Sequence, residues 1–437
     1  MSTTVPHAAT AEETLVRAVH ATVGRALAAI DEPLTRAERE TRARQLIREA
    51  LDARTREALS SGAPVLERSA EDRVAGLVFA GLFGLGRLQA LLDDESVENV
   101  AVNGCDEVFV RYVGGRRETY PPVAGSDEEL VEMIRLIASR LGQDERRFDR
   151  ASPSLNIQLP DGSRLFAVMG VSRRPSIAIR RHRFEKVSLE DLAGMGTLDH
   201  QLAEVFAALV LARANILIAG GTNAGKTTFL RGLSSAIPPH ERLITIEDTY
   251  ELNLHADKQA HPDVVPMQAR EANLEGAGAV TQAELVRMGL RMSPDRVIVG
   301  ECRGDEIVPM LNAMSQGNDG SMATIHASSS AGVFGKLAAY AAQAPERLDV
   351  PTVNLLIANT VNVVIHIRAL KDGTRVVSSV REVVGAEGHQ MISNETYRPD
   401  RDGRAVPGAP WTAAMAERLI DAGLAPEMAA HRAGWSR

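Results

Sequence analysis

Nine consecutive residues, Gly220, Gly221, Thr222, Asn223, Ala224, Gly225, Lys226, Thr227 and Thr228, follow an apolar run at 215–219. A buried strand that ends in a glycine-rich turn and opens a helix aims successive backbone N–H groups, and the positive helix terminus, at one point. Few folds accept that order. It calls for an α/β sheet in which the turn lies at the carboxyl end of a strand, where such sheets bind ligands. Gly220 and Gly225 permit the tight path, and the whole stretch from Gly220 to Thr228 forms a pocket for a nucleoside triphosphate. Lys226 would reach the β- and γ-phosphates as a mobile cation. The Thr227 hydroxyl would complete a Mg²⁺ shell made mainly of phosphate oxygens and water.

At 437 residues and 44% hydrophobic composition, the chain has room for two or three domains. Its net charge of −8 gives no bulk electrostatic basis for nucleic-acid binding, so no nucleic-acid partner is expected. Cys105 and Cys302 lie far apart and lack metal-ligand spacing, which points to a reducing compartment, the cytoplasm, without a disulfide framework. Residues 1–15 lack the basic-then-apolar order of a secretory signal. The most lipid-like run, 74–86, is Gly-rich and shorter than the roughly 20 residues a spanning helix needs, so it reads as a buried helix. Work at a membrane then requires recruitment by partners.

The chain divides by pattern into four parts. Residues 1–72 form a helical leader, in which Leu15, Val19, Val23 and Leu27 make an i, i+4 stripe. The charges between 36 and 56 alternate in sign and read as a solvated helix face. Residues 73–186 form an α+β domain of short β-branched runs at 97–102, 108–113, 155–159, 164–168 and 176–179, with a helix at 128–141. Residues 187–397 alternate helical and strand-like runs, the pattern of a mostly parallel sheet flanked by helices. Residues 398–437 are a Pro/Gly-rich surface tail with one short helix near 411–422.

Phosphoryl transfer to water needs a metal, a group that orients the water, and cations on the developing charge. Strand 243–247 ends in the adjacent carboxylates Glu247 and Asp248, and strand 297–300 leads into Glu301. One strand-terminal carboxylate is usually just solvated; two downstream of a phosphate loop reinforce each other. Asp248, Glu301 and Thr227 are the metal candidates, and Glu247, Glu301, His326 and Lys226 the catalytic ones. His326 ends a third strand, 321–326, where it reads as a γ-phosphate sensor or coupling residue. Arginines 164, 173, 174, 180 and 181 cluster in the second part. Among them Arg164, Arg174, Arg180 and Arg181 are candidate trans-acting fingers, a role worth ~10³–10⁵ in rate.

Taken together, these motifs resemble the type II/IV secretion system ATPases (the secretion protein E superfamily), and within them the tight-adherence (Flp) pilus assembly subgroup. The resemblance runs from about residue 84 to 397. It rests on Gly84-Leu85-Gly86-Arg87-Leu88, on Val97-Glu98-Asn99-Val100-Ala101-Val102-Asn103-Gly104, and on Leu159-Pro160-Asp161-Gly162-Ser163-Arg164. It rests also on an Asp box, Ile246-Glu247-Asp248-Thr249-Tyr250-Glu251-Leu252, a Walker B segment ending in Val299-Gly300-Glu301-Cys302-Arg303-Gly304, and a His box, Gly320-Ser321-Met322-Ala323-Thr324-Ile325-His326. The resemblance implies a RecA-like P-loop motor domain, ATP and Mg²⁺ as cofactors, and a homo-hexameric ring docked at the cytoplasmic face of the inner membrane. Hydrolysis in such a ring drives pilus assembly or protein secretion through inner-membrane platform proteins. By the same resemblance Glu247 and Glu301 share metal and water activation.

One departure is visible. Family members commonly carry Gly-His before the Asp-Gly-Ser of the His box, whereas this chain has Gly317-Asn318-Asp319-Gly320-Ser321. Asn carries no positive charge, which leads to an expectation of slow hydrolysis. The competing reading is an ATP-binding regulatory or scaffold paralogue with little turnover. A nucleic-acid translocase is disfavoured by charge, and a GTPase by the lack of an Asn-Lys-x-Asp motif.

Overall fold

The computed structural model describes residues 11–30, 35–141, 148–181, 186–270, 272 and 277–430. The first ten residues, which enter the reading of the amino terminus, lie outside these. The chain forms two compact units, Met1–Arg181 and His182–Arg437.

The first unit opens with three helices, α1 (Ala11–Ala28), α2 (Arg36–Ser61) and α3 (Arg68–Phe83). Thr35 and Glu38 form a reciprocal capping box at the start of α2, and Gly62 ends it at φ +69°. The predicted stripe faces inward: Val19 and Val23 pack with Ile47, Val74 and Val78 in a small core. The helical leader therefore continues past residue 72 to the end of α3, because Val74 and Val78 have their apolar partners on α1 and α2. Among the described residues no single helix is long and apolar enough to cross a membrane.

A short α4 (Gln89–Asp93) leads into β1 (Val97–Asn103), β2 (Glu107–Tyr112) and β3 (Arg117–Tyr120), then α5 (Asp127–Leu141), β4 (Ser154–Gln158), β5 (Arg164–Val168) and β6 (Ser176–Arg180). The sheet is antiparallel, in the order β3-β2-β1-β6-β5-β4. Along β2, β4, β5 and β6 the inward residues alternate, and they pack under α5 through Leu130, Ile134 and Ile137.

The second unit contains α6 (Leu189–Gly194), α7 (His200–Leu211), β7 (Ile216–Gly220), α8 (Lys226–Ser234), β8 (Leu243–Glu247), β9 (Val264–Gln268), α9 (Gln282–Gly289), β10 (Arg296–Cys302), α10 (Ile307–Ser315) and β11 (Met322–His326). It continues with α11 (Gly332–Gln343), α12 (Val350–Thr360), β12 (Val363–Ala369), β13 (Arg375–Glu387), β14 (Gln390–Pro399), β15 (Ala405–Pro407), α13 (Ala413–Asp421) and α14 (Pro426–Ala429). Nine strands form one sheet in the order β15-β14-β13-β12-β7-β11-β10-β8-β9. From β12 to β9 the strands are parallel; β13, β14 and β15 add an antiparallel meander. Helices cover both faces, with α6, α7 and α8 over one core and α9 to α12 over the other. The chain is thus α/β, with a RecA-like core in which β11 lies between the phosphate-loop strand β7 and the Glu301 strand β10.

The segment expected as a surface tail is partly interior. Trp411, Met415 and Leu419 are buried in the core under α7, and Tyr397 stacks edge-on against Trp411. Met415 and Leu419, spaced i, i+4, give α13 an apolar face that the Pro/Gly content of the segment concealed, and Trp411 joins the same core from just before the helix.

Candidate active site

Strand β7 is buried at every position and stops where its backbone comes close to β12. A Cβ on Gly220 would lie 2.6 Å from the Ile367 carbonyl oxygen, so the loop cannot start on any other residue without moving β12. Gly225 caps α8 at φ +92°, and Asn223 sits at φ +61°. This left-handed path turns the loop onto the amino end of α8, whose first N–H groups have no intrahelical acceptor. Lys226, 8% exposed, folds back over the loop, its Nζ donating to the carbonyls of Gly220 at 3.3 Å and Gly221 at 3.1 Å.

Parallel register then brings the other candidates to the same sheet edge. His326 stands opposite Gly220 across β11 and β7, and its Nδ1 lies 3.2 Å from Lys226 Nζ. His326 Nε2 also lies against Glu301 Oε1. Lys226 Nζ lies 3.4 Å from Nε2 as well, so the ammonium faces the ring edge that carries both nitrogens. Burial holds His326 below the usual histidine range; Glu301 opposes this, and Lys226, Arg303 and Lys336 reinforce it. The ring is therefore neutral near pH 7.

Arg303 closes the line. Its Nε donates to Glu301 Oε2 at 2.9 Å and it pairs with Asp248 Oδ2 at 3.3 Å. Burial works against its charge, and Glu301, Asp248 and Glu251 outweigh that effect. The Thr227 hydroxyl donates to Glu251 Oε2 at 3.3 Å.

Glu247 is placed differently from the other carboxylates. It is 3% exposed, and its Oε1 accepts from the backbone N–H groups of Glu251 at 2.8 Å and Leu252 at 2.9 Å. Gly300 makes room for it, since a Cβ there would meet Glu247 Cγ at 3.0 Å. Burial pushes its pKa up to about 8, helped by Glu251 and opposed by the two N–H donors and Arg231. In this conformation Glu247 pins the loop that carries Asp248 and Glu251.

Among the described residues no group of three or more His, Cys, Asp or Glu side chains could hold a metal by itself. The hard oxygens of Thr227 and Glu251 nevertheless suit Mg²⁺, which keeps several waters and relies on phosphate oxygens. Asp248 and Glu301 are drawn together by Arg303 instead. Cys302 is fully buried, and burial raises its thiol well above the ordinary value. It is a core residue.

The arginines of the first unit divide. Arg174 donates to both Asp127 oxygens, at 2.7 and 2.8 Å, pairs with Asp106 at 2.8 Å, and occupies the space a Cβ on Gly104 would need. These bonds hold Asp127 down at about 2. Arg174 is thus committed to its own unit. Arg181 donates to the Asp94 carbonyl. Arg164 and Arg180 face each other across β5 and β6, Arg164 donating to Asn156 at 3.0 Å and Arg180 exposed. Arg173 is exposed as well.

Asn318 lies before β11, at the opposite end of that strand from His326. Its Nδ2 donates to the Pro294 carbonyl at 2.6 Å, and its carbonyl accepts from Ser321 Oγ at 2.7 Å. Within the chain it sits at the amino edge of the sheet, so the expectation of slow hydrolysis finds no contact there to support it.

Four further residues shape the site without having been singled out from sequence. Arg303 and Glu251 lie two and four residues past strand-end carboxylates, a spacing that could have marked them. Asn215, at the foot of β7, accepts from the N–H groups of Gly320 and Ser321 and donates to the Met314 and Thr360 carbonyls. Arg375 reaches back from β13, donating to the Asn223 carbonyl at 3.3 Å and packing over Gly225.

The sequence matches the family described as Type II/IV secretion system protein over residues 83–404. A Mycobacterium tuberculosis protein named for conjugal transfer is 35% identical over 316 residues, covering 70% of this chain and 86% of that protein. The type IV secretion system protein VirB11 of Brucella suis is 32% identical over 323 residues, covering 67% and 87%. Among solved structures, the Brucella suis VirB11 ATPase in complex with sulphate aligns at 31% identity and a TM-score of 0.36, covering 69% of this chain and 94% of that one. The Legionella pneumophila ATPase DotB aligns at 19% identity and a TM-score of 0.49, covering 69% and 81%. With three quarters of its length inside the family match, and with the phosphate loop, Asp box, Walker B glutamate and His box meeting at one sheet edge, the chain belongs to the type II/IV secretion system ATPase family.

Proposed function

We propose that the protein hydrolyses ATP with Mg²⁺ and works as a homo-hexameric motor for a secretion or pilus system. The observation that carries this reading is the Lys226–His326–Glu301 line beside the phosphate loop. A triphosphate entering the loop would draw Lys226 off its two carbonyls, since phosphate oxygens are stronger acceptors than peptide oxygens. Thr227 would ligate Mg²⁺, with Glu251 bonded to its water shell, and the metal would neutralise charge between the β- and γ-phosphates. Lys226 would leave His326 to report on the γ-phosphate, and Glu301 would orient the attacking water. Glu247 and Asp248 would steady that shell through the Asp-box loop.

Relatives named for type IV secretion and conjugal transfer support a role in moving macromolecules out of the cell. On this reading the ring docks on inner-membrane platform proteins from the cytoplasmic side. The words at 97–104 and 159–164 favour the tight-adherence pilus subgroup, and Arg164 and Arg180 are the fingers that best suit a neighbour's phosphate. The test is a steady-state Mg²⁺-ATPase assay on wild type, Lys226→Ala and Glu301→Gln, with light scattering for ring size. Nucleotide-dependent hexamers and turnover lost in both variants support the motor. Tight ATP binding with no wild-type turnover would instead identify a scaffold.

A further inference from the structure

We infer that Arg375, at the start of β13, is a positioning residue for the phosphate loop, holding the loop in shape from its carbonyl side. Among residues 220–228 the left-handed backbone occurs at two places, Asn223 at φ +61° and Gly225 at φ +92°. Arg375 touches both. Its Nε donates to the Asn223 carbonyl at 3.3 Å, and its Cδ packs over Gly225, 2.9 Å from where a Cβ would stand. Left-handed residues that alternate with others line up N–H groups in an anion-binding concavity and send carbonyls outward. A donor on the Asn223 carbonyl therefore fixes which side the amides face.

The residue that needs this hold is Asn223. Gly225 adopts its conformation freely, whereas a side chain with a Cβ is strained there, asparagine less than most. Gly221 to Ala224 form a turn closed by a long bond of 3.3 Å, and Asn223 holds its third position, where φ is positive. Release of its carbonyl would let Asn223 return to a negative φ, and Gly225 and the start of α8 would move with it. The hairpin that carries Arg375 gives it a firm base. Arg375 faces Ala369 across β12 and β13, the Leu370 N–H donates to the Thr374 carbonyl at 2.7 Å, and the Thr374 N–H donates to Asp372 Oδ1 at 2.9 Å. Ile367 of the same hairpin stands opposite Gly220. Both ends of the phosphate loop thus lean on β12 and β13.

The inference rests on the proposed binding of ATP at this loop, and the experiment separates the two. In the full-length protein, Arg375→Gln places an amide nitrogen where Nε stands and removes the charge, whereas Arg375→Met fills the same length without a donor. Arg375 is half-buried at the end of a hairpin, so both substitutions leave the core of the unit intact. If the bond to Asn223 is what acts, Arg375→Met raises the Kd for MgADP and the KM for MgATP about tenfold with kcat within about twofold, and Arg375→Gln keeps each constant within about threefold of wild type. Inorganic pyrophosphate, followed by isothermal titration, should weaken by the same factor as MgADP, since both present phosphate oxygens to the loop. Amide hydrogen exchange on the nucleotide-free protein gives a readout independent of ligand. The Phe229 N–H donates to the Gly225 carbonyl at 2.9 Å. It should exchange about fivefold faster in Arg375→Met and at the wild-type rate in Arg375→Gln, while β8 stays protected. Should Arg375→Met fail to fold, Arg375→Ala takes its place with the same expected changes.

A Gln variant as impaired as Met would mean that the charge of Arg375, not its bond, acts on the nucleotide, and would overturn the inference. So would wild-type constants and exchange in the Met variant, or a loss confined to kcat. If the wild-type protein binds neither MgADP nor pyrophosphate, the ATP-binding reading fails, and the exchange of Phe229 alone still decides whether Arg375 holds the loop.

Discussion

Lys226 Nζ lies 3.2 Å from His326 Nδ1, although the two residues are 100 positions apart. The ammonium also holds two loop carbonyls, and on the proposed function ATP would exchange these acceptors for phosphate oxygens. Removing the side chain takes away a charged hydrogen bond worth about 1.5–3 kcal/mol, roughly 10- to 150-fold in affinity. Lys226→Ala should raise the Kd for MgATP by that factor in isothermal titration and abolish turnover. His326→Ala should leave ADP affinity within about twofold while lowering kcat, because its partner is the group on the γ-phosphate side.

Glu301 and Glu247 should part company under the same substitution. Glu301→Gln removes the group that orients water and should lower kcat by about 10²–10⁴. Glu247→Gln keeps an oxygen for the N–H groups of Glu251 and Leu252, so its smaller kinetic effect should come with a change in stability. Because the folded pKa of Glu247 is raised to about 8, the native state holds a proton that the unfolded chain releases near the ordinary glutamate value. Stability from this carboxyl is therefore full at acid pH and falls as pH rises from about 4.5 to 8. Melting curves should show Glu247→Gln gaining on wild type across that interval. A constant gap between the two proteins would contradict the buried, protonated state.

At the opposite edge, Arg296 is fully buried, bonded to Glu241 through two contacts of 2.7 and 2.8 Å, and Glu241 also pairs with Arg213 at 3.0 Å. Removing one partner leaves a buried charge unmatched, at a cost of about 3–5 kcal/mol. Glu241→Ala should lower the urea midpoint strongly. Replacing the pair together, Glu241→Leu with Arg296→Met, should recover much of that loss. The test is chemical denaturation of the single and double variants.

The arginines of the first unit make opposed predictions. Arg174→Ala breaks the bonds to Asp127 and Asp106 and should reduce thermal stability, most visibly above pH 4 where Asp127 is ionised. Arg180→Ala touches no such network. If Arg180 acts on a neighbour's phosphate, its loss should lower kcat by about 10³-fold without changing the melting temperature. Mixing Arg180→Ala with Lys226→Ala subunits should then restore partial activity in shared rings.

Much of this site could be read from the chain because its parts obey a local rule. Phosphate loops follow a buried strand, and carboxylates that end parallel strands share one edge, so Lys226, Glu301 and His326 could be placed together before any geometry was known. The rest depended on distances that spacing does not encode. Glu247 reads from the chain as a catalytic strand-end carboxylate beside the metal, but Gly300 on the neighbouring strand leaves room for it to turn inward. The leader reads as helical from its stripe, and α3 runs on to Phe83 because Val74 and Val78 pack with Val19, Val23 and Ile47.

The position of Trp411, Met415 and Leu419 separates ancestry from folding. The region shared with the family stops at residue 404, yet Trp411, Met415 and Leu419, which come after it, share one core with Tyr397 and α7. A boundary drawn from kinship alone would strip the second unit of part of its own interior.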